Sequence, residues 1–90
     1  MISDIIFIPG DKDFILRFCL DSSQIPRIAE FLQENNRVSN FYIGSTSVQA
    51  YILTTQVIPF LHDLAQTQYI NTLELDLFIT RFHQLTRTPF

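Results

Sequence analysis

The chain matches itself in physical character at an offset of 32 residues, and no other feature constrains its fold as much. Ser22-Ser23-Gln24-Ile25 aligns with Thr54-Thr55-Gln56-Val57, Leu16 with Val48, Leu20 with Ile52, and Leu32 with Leu64. Further along, Val38 aligns with Ile70, and Phe41 and Ile43 with Leu73 and Leu75. Few of these pairs are identities. What recurs is an order of elements in one phase: strand, hydroxyl-bearing cap, helix, strand. Two βαβ units in tandem, joined by a tight turn, predict a ferredoxin-like βαββαβ fold, an α+β two-layer sandwich with a pseudo-two-fold internal repeat. Right-handed crossovers would set both helices on one face of a four-stranded sheet.

The local patterns fill in this scheme. Phe14, Leu16, Phe18 and Leu20 alternate with Ile15, Arg17 and Cys19, as in a strand with one fully apolar face. Asp21 and Gln24 have capping-box spacing, and Ile25, Ile28, Ala29 and Leu32 follow at helical intervals, with Pro26 in the first turn. Asn35-Asn36 is the expected helix end, because asparagine tolerates the left-handed conformation. Val38–Ile43 and Val48–Leu53 read as strands around the turn Gly44-Ser45-Thr46-Ser47. Thr54 and Thr55 are expected to cap a second helix that runs to about Thr67, with Val57, Leu61 and Leu64 buried. Leu73, Leu75, Leu77 and Ile79 alternate with Glu74, Asp76, Phe78, Thr80 and Phe82, which predicts a long final strand to about Gln84.

One segment fits this scheme badly. Ile5-Ile6-Phe7-Ile8 is apolar and is followed by the turn cluster Pro9-Gly10-Asp11-Lys12-Asp13. It reads as an extra N-terminal strand, the hairpin partner of Phe14–Leu20. The expected sheet leaves it no slot there, so it pairs at an edge, extends the first strand through a bulge, or changes the strand order. The chain thus divides into an N-terminal strand and turn (1–13), a βαββαβ core (14–84) and a tail (85–90).

Ninety residues form one domain, and a chain this short buries only roughly 60–65% of its unfolded surface, so a partner subunit would help its stability. A hydrophobic content of 47% is too high for a disordered segment. No apolar run approaches the ~18 residues of a membrane span, and Ile5–Ile8 follows Asp4 rather than a basic region. The reading is an untargeted, cytoplasmic protein. Cys19 is the only cysteine, which excludes an intramolecular disulfide and a multi-cysteine zinc site. With a net charge of −3, one lysine and five scattered arginines, the chain is poorly matched to nucleic acid. Gly10 and Gly44 are too few to write a phosphate-cradling loop or dinucleotide fingerprint, and no cofactor is implied.

Catalytic candidates are sparse. His62 is expected beside the buried stripe of the second helix, with the adjacent Asp63 pointing about 100° away. His83 lies near Arg81 at the end of the final strand. Both read as boundary or solvent-facing residues, and Cys19 reads as a small residue packed in or against the sheet. Glu74 and Asp76 on one strand face are a possible cation or acid–base pair, but the same pattern protects an edge strand from aggregation, which is the preferred reading.

The informative surface is the second face of the sheet, which a βαββαβ fold leaves uncovered. Strand phase puts Ile15, Arg17, Tyr42, Tyr51, Phe78 and Phe82 there as interface candidates, with Cys19, Gln49, Leu53 and Thr80 beside them. Exposed apolar patches of this kind mark contact sites, and Tyr, Phe and Arg are enriched in interfaces. The expected role is a non-enzymatic binding or regulatory module, working as a homodimer by stacked sheets or paired edges, or docking on another protein. Two alternatives use the same surface: a small ligand sensor or enzyme with Arg17, Arg81 and His83 in a cleft between dimer sheets, and a platform that stacks single-stranded RNA bases. The N-terminal segment or the tail, ending Pro89-Phe90, would hide the face if it folded over it.

Overall fold

The computed structural model describes residues 2–87. Its strands are β1 (Ile6–Pro9), β2 (Asp13–Cys19), β3 (Val38–Ile43) and β4 (Ser47–Leu53). The helices are α1 (Ile25–Glu34), α2 (Val57–Gln66) and α3 (Thr72–Thr86), and a single 3₁₀ turn precedes each of the first two. The strands form one antiparallel sheet in the order β1-β2-β4-β3. The expected α+β class and four-stranded sheet are present. The βαββαβ element order is not, because the segment 73–84 is helix rather than strand. The slot it was to fill, at the edge beside β2, belongs to the N-terminal strand β1.

The sheet carries an internal symmetry, but its unit differs from the expected one. Leu16 lies opposite Ala50, the residue 34 positions further on. The same shift converts the hairpin pairs Ile6–Arg17, Phe7–Leu16, Ile8–Ile15 and Pro9–Phe14 into Asn40–Tyr51, Phe41–Ala50, Tyr42–Gln49 and Ile43–Val48, and all of these pairs form. The repeating unit is therefore a hairpin followed by a helix, ββα, and β3 corresponds to β1 rather than to a strand near Leu73. Both hairpins close by one hydrogen bond, from Gly10 N to Asp13 O and from Gly44 N to Ser47 O, each at 2.8 Å. A Cβ at either turn would first meet a side-chain tip that can turn aside, Asp13 Oδ1 at 2.5 Å for position 10 and Ser47 Oγ at 2.7 Å for position 44; the tighter backbone approach is at position 10, where Asp13 O would lie at 3.1 Å.

Past the hairpins the offset becomes 32, because two residues separate β2 from its 3₁₀ turn and none separates β4 from its own. Backbone torsions then coincide: Gln24 has φ −95°, ψ −8° and Gln56 has φ −105°, ψ −2°. Neither helix has the side-chain cap expected of it. The entry is a tight turn with a glutamine at its end, and Thr54 Oγ1 instead donates to Lys12 O at 3.1 Å, clamping the β1–β2 turn. Asn35 ends α1 in extended geometry (φ −93°, ψ 115°), not left-handed geometry.

All three helices cover one face of the sheet. Phe7, Phe14, Leu16, Phe18, Val48, Ala50 and Ile52 point inward and share one buried cluster with Ile28 and Leu32 of α1, Phe60, Leu61 and Leu64 of α2, and Leu75, Phe78 and Phe82 of α3. The Phe82 ring centroid is 5.8 Å from that of Phe7 and 5.0 Å from that of Phe14, so α3 seals the β1–β2 side. Residues 2–5 are tied to both layers: Ile2 N donates to Tyr69 O, Ser3 N to Cys19 O, and Arg81 bonds Asp4 Oδ1 and Ile5 O.

Helix α3 begins with a full capping box. Glu74 N donates to Asn71 Oδ1 at 2.8 Å, and Asn71 N donates to Glu74 Oε1 at 2.9 Å. Replacing Asn71 with alanine frees one terminal N–H and is expected to cost ~1 kcal/mol of stability, read as a lower urea midpoint. An unchanged midpoint would place the start of α3 elsewhere.

Candidate contact surface

The pleat sends alternate residues of each strand to opposite sides, and with the helices on one side the other is bare. Four rows cross this open face, the last of them Cys19 and Ser47 at one end. Ile8, Ile15, Tyr51 and Asn40 are register neighbours along the first row. Ile6, Arg17, Gln49 and Tyr42 form the second row, and Asp13 and Leu53 the third. Tyr42, Ile6 and Leu53 are 58%, 53% and 50% exposed, while Ile8, Ile15 and Tyr51 are half-buried among their neighbours. The Tyr42 and Tyr51 rings meet edge to face at 5.8 Å, and Asn40 Nδ2 donates to Tyr42 Oη at 3.1 Å, which orders this corner.

Four of the six interface candidates named from sequence, Ile15, Arg17, Tyr42 and Tyr51, thus lie on one surface. The other two do not. Phe78 and Phe82 are 2% and 4% exposed, on the inner side of α3 beneath the helical layer. Alternation placed them with Tyr51, and helical periodicity reverses that. The alternative use of Arg81 and His83 in a sheet-side cleft falls for the same reason, since both are on α3. Arg81 is spent on Asp4 at 2.9 Å and stacks over Phe78 at 5.5 Å. Sequence reasoning missed Ile6 and Ile8, whose signal was the hairpin pairing already suspected for that segment.

The remaining chemical candidates are scattered. His62 and His83 are exposed on separate helices. Glu74 serves the cap, and on a helix Asp76 projects about 200° from it, so the two are not a carboxylate pair. Cys19 is exposed at the end of β2 on the open face rather than packed away. Among the described residues, no group of three or more His, Cys, Asp or Glu side chains is placed to hold a metal ion. Also among them, no helix is long and apolar enough to cross a membrane. The tail ending Pro89-Phe90 lies outside the described residues.

A second feature, not foreseen from sequence, is an open groove of about 740 Å³ where α1, β3 and α2 meet. Its floor is a polar knot. Arg37 Nε donates to Asp63 Oδ2 at 2.9 Å, Arg37 Nη1 to Gln56 Oε1 at 2.7 Å, and Asn35 Nδ2 to the same Asp63 oxygen at 3.1 Å. These groups answer one another, and they fasten the α1–β3 connection to α2. Beside it, Tyr69 is buried with its hydroxyl unbonded among the described residues, and burial raises its pKa above the usual phenol range. Its ring lies under the Arg27 guanidinium at 5.7 Å.

No family model matches the chain, and neither a curated protein nor a solved structure matches it. The open face is the feature that a functional reading has to explain.

Proposed function

We propose that this chain is a binding module that works by surface contact rather than catalysis, with the open sheet face as its contact surface. One observation carries the reading. The face opposite the helices sets Ile6, Ile8, Ile15, Tyr42, Tyr51 and Leu53 among Asp13, Arg17, Gln49 and Asn40, a larger apolar share than a solvated sheet face carries. Four strands ~4.8 Å apart and about 20 Å long give a face of roughly 400 Å² in projection. That is about half of one side of a standard interface. Reversible contact, rather than a permanent assembly, suits this size.

The test separates surface from core. Tyr51→Ser and Ile15→Ser are expected to change folding stability by about 1 kcal/mol or less. Both should reduce self-association in light scattering, or capture of a partner by the immobilised chain, at least tenfold. If no association of either kind depends on these side chains, the reading is wrong.

A further inference from the structure

Among all the residues of the four strands, only Asp13 and Arg17 carry a charge. Both project from β2 onto the open face, one on each side of Ile15. Neither side chain has a hydrogen-bond or ion-pair partner among the described residues, whereas Arg37 and Arg81 are both paired. The face therefore reads negative, apolar, positive along one strand. The two charges lie about 13 Å apart at ~3.3 Å per residue, too far to meet within one chain.

We infer that the occupant of the open face is a second copy of this chain, stacked face to face with its β2 antiparallel to the first and Arg17 of each copy over Asp13 of the other. This rests on the reading of the open face as a contact surface and goes beyond it by naming partner and register. A two-fold axis lying between the sheets, perpendicular to the strands and along the row Ile8–Ile15–Tyr51, generates the arrangement. Ile15 and Tyr51 then meet their own copies at the centre, away from water. Leu53 comes to lie over Gln49 of the other copy. Arg17 and Asp13 face each other twice, across the ~10 Å that separates stacked sheets. The interface is isologous, as two-fold contacts must be.

Competing arrangements fit the same surface worse. An axis parallel to the strands and over β2 sets Arg17 on Arg17 and Asp13 on Asp13, and like charges brought together in an interface are strongly unfavourable. The same axis moved to the midline of the sheet lays β2 on β4, so that Arg17 meets Gln49 and Asp13 meets Leu53 and both charges stay unpaired. Pairing sheet edges into a longer sheet, one of the routes expected from sequence, loses its long final strand. The two real edges are blunted: β1 has four residues and ends in Pro9, and the β3 ladder shifts register between Val38 and Asn40. The net charge of −3 on each copy opposes association weakly, because salt screens charges that lie off the contact.

The arrangement is tested by charge exchange on the full chain, with sedimentation velocity run over a wide concentration range at low salt. Wild type is expected to dimerise reversibly. Arg17→Asp and Asp13→Arg should each weaken the dimer at least tenfold, since each sets like charges in opposition. A mixture of these two variants should form a heterodimer at wild-type strength, and the double variant D13R/R17D should recover self-association. The neutral variants Arg17→Gln and Asp13→Asn, milder tests of the same contact, should show smaller losses of the same sign. Dimerisation indifferent to all these changes, but abolished by Ile15→Ser, would overturn the register while leaving the contact surface intact. A monomer at every concentration, with face-dependent capture of a different protein, would overturn the second copy as occupant. A monomer with no such capture would overturn both proposals.

Discussion

Replacing Phe82 with alanine is expected to remove about 3–5 kcal/mol of folding stability. The ring is 4% exposed and touches Phe7 on β1 and Phe14 on β2. It is thus the side chain that joins the last helix to the first hairpin. Truncation leaves a cavity bounded by sheet and helix backbones, which relax only in part. Domains of this kind hold about 5–15 kcal/mol in total, so the variant would stand near the edge of folding. Urea titration should show a much lower midpoint, with a similar slope if the denatured state is unchanged. Tyr42→Ala, at a site 58% exposed, should move the midpoint little. A reversed ranking would mean that Phe82 faces solvent or a partner, as strand alternation had predicted.

A substitution series at Thr80 is expected to produce the second largest effect and to report the conformation of its segment by sign. Thr80 is exposed in the middle of α3. Proline there loses a backbone hydrogen bond and strikes the preceding turn, costing ~3 kcal/mol or more. Glycine should cost a few tenths, and alanine should stabilise by roughly half a kcal/mol, because threonine loses rotamer freedom in a helix. In a strand the order of alanine and threonine would invert, since β-branched residues favour the pleat. Thermal melts of the three variants decide between the two conformations.

That segment shows where sequence and structure part. Leu73 to Ile79 alternates as a strand does, yet Asn71 and Glu74 already carry the spacing of a capping box, and Leu75, Phe78 and Phe82 already fall at i, i+3 and i+7. Both periods fit, so the pattern alone could not choose. Length was the overlooked arbiter: a strand over 73–84 would run about 40 Å beside neighbours of seven residues. The choice of helix leaves Leu73 and Leu77 81% and 54% exposed, which explains why the apolar count suggested a strand. Elsewhere one period dominated, and β2 to α2 were legible to within a residue or two. That was enough to put Ile15, Arg17, Tyr42 and Tyr51 on one side of the sheet. The repeat was visible but framed one element late, because the hairpins and the helices follow different offsets. The Arg37–Asp63 knot was illegible, since its members lie 26 residues apart and meet only in the folded chain.

The mirrored hairpins also set an order of events during folding. Each hairpin closes over a four-residue turn and can form locally in roughly 1–10 μs. Of the three strand pairings, only β2–β4 joins distant stretches of chain, and the loop that must be closed there runs through α1 and the whole of β3. The expected rate-limiting search is therefore the meeting of the two hairpins across Leu16 and Ala50, an assembly step like that of a dimer, with the partner supplied by the chain's own backbone.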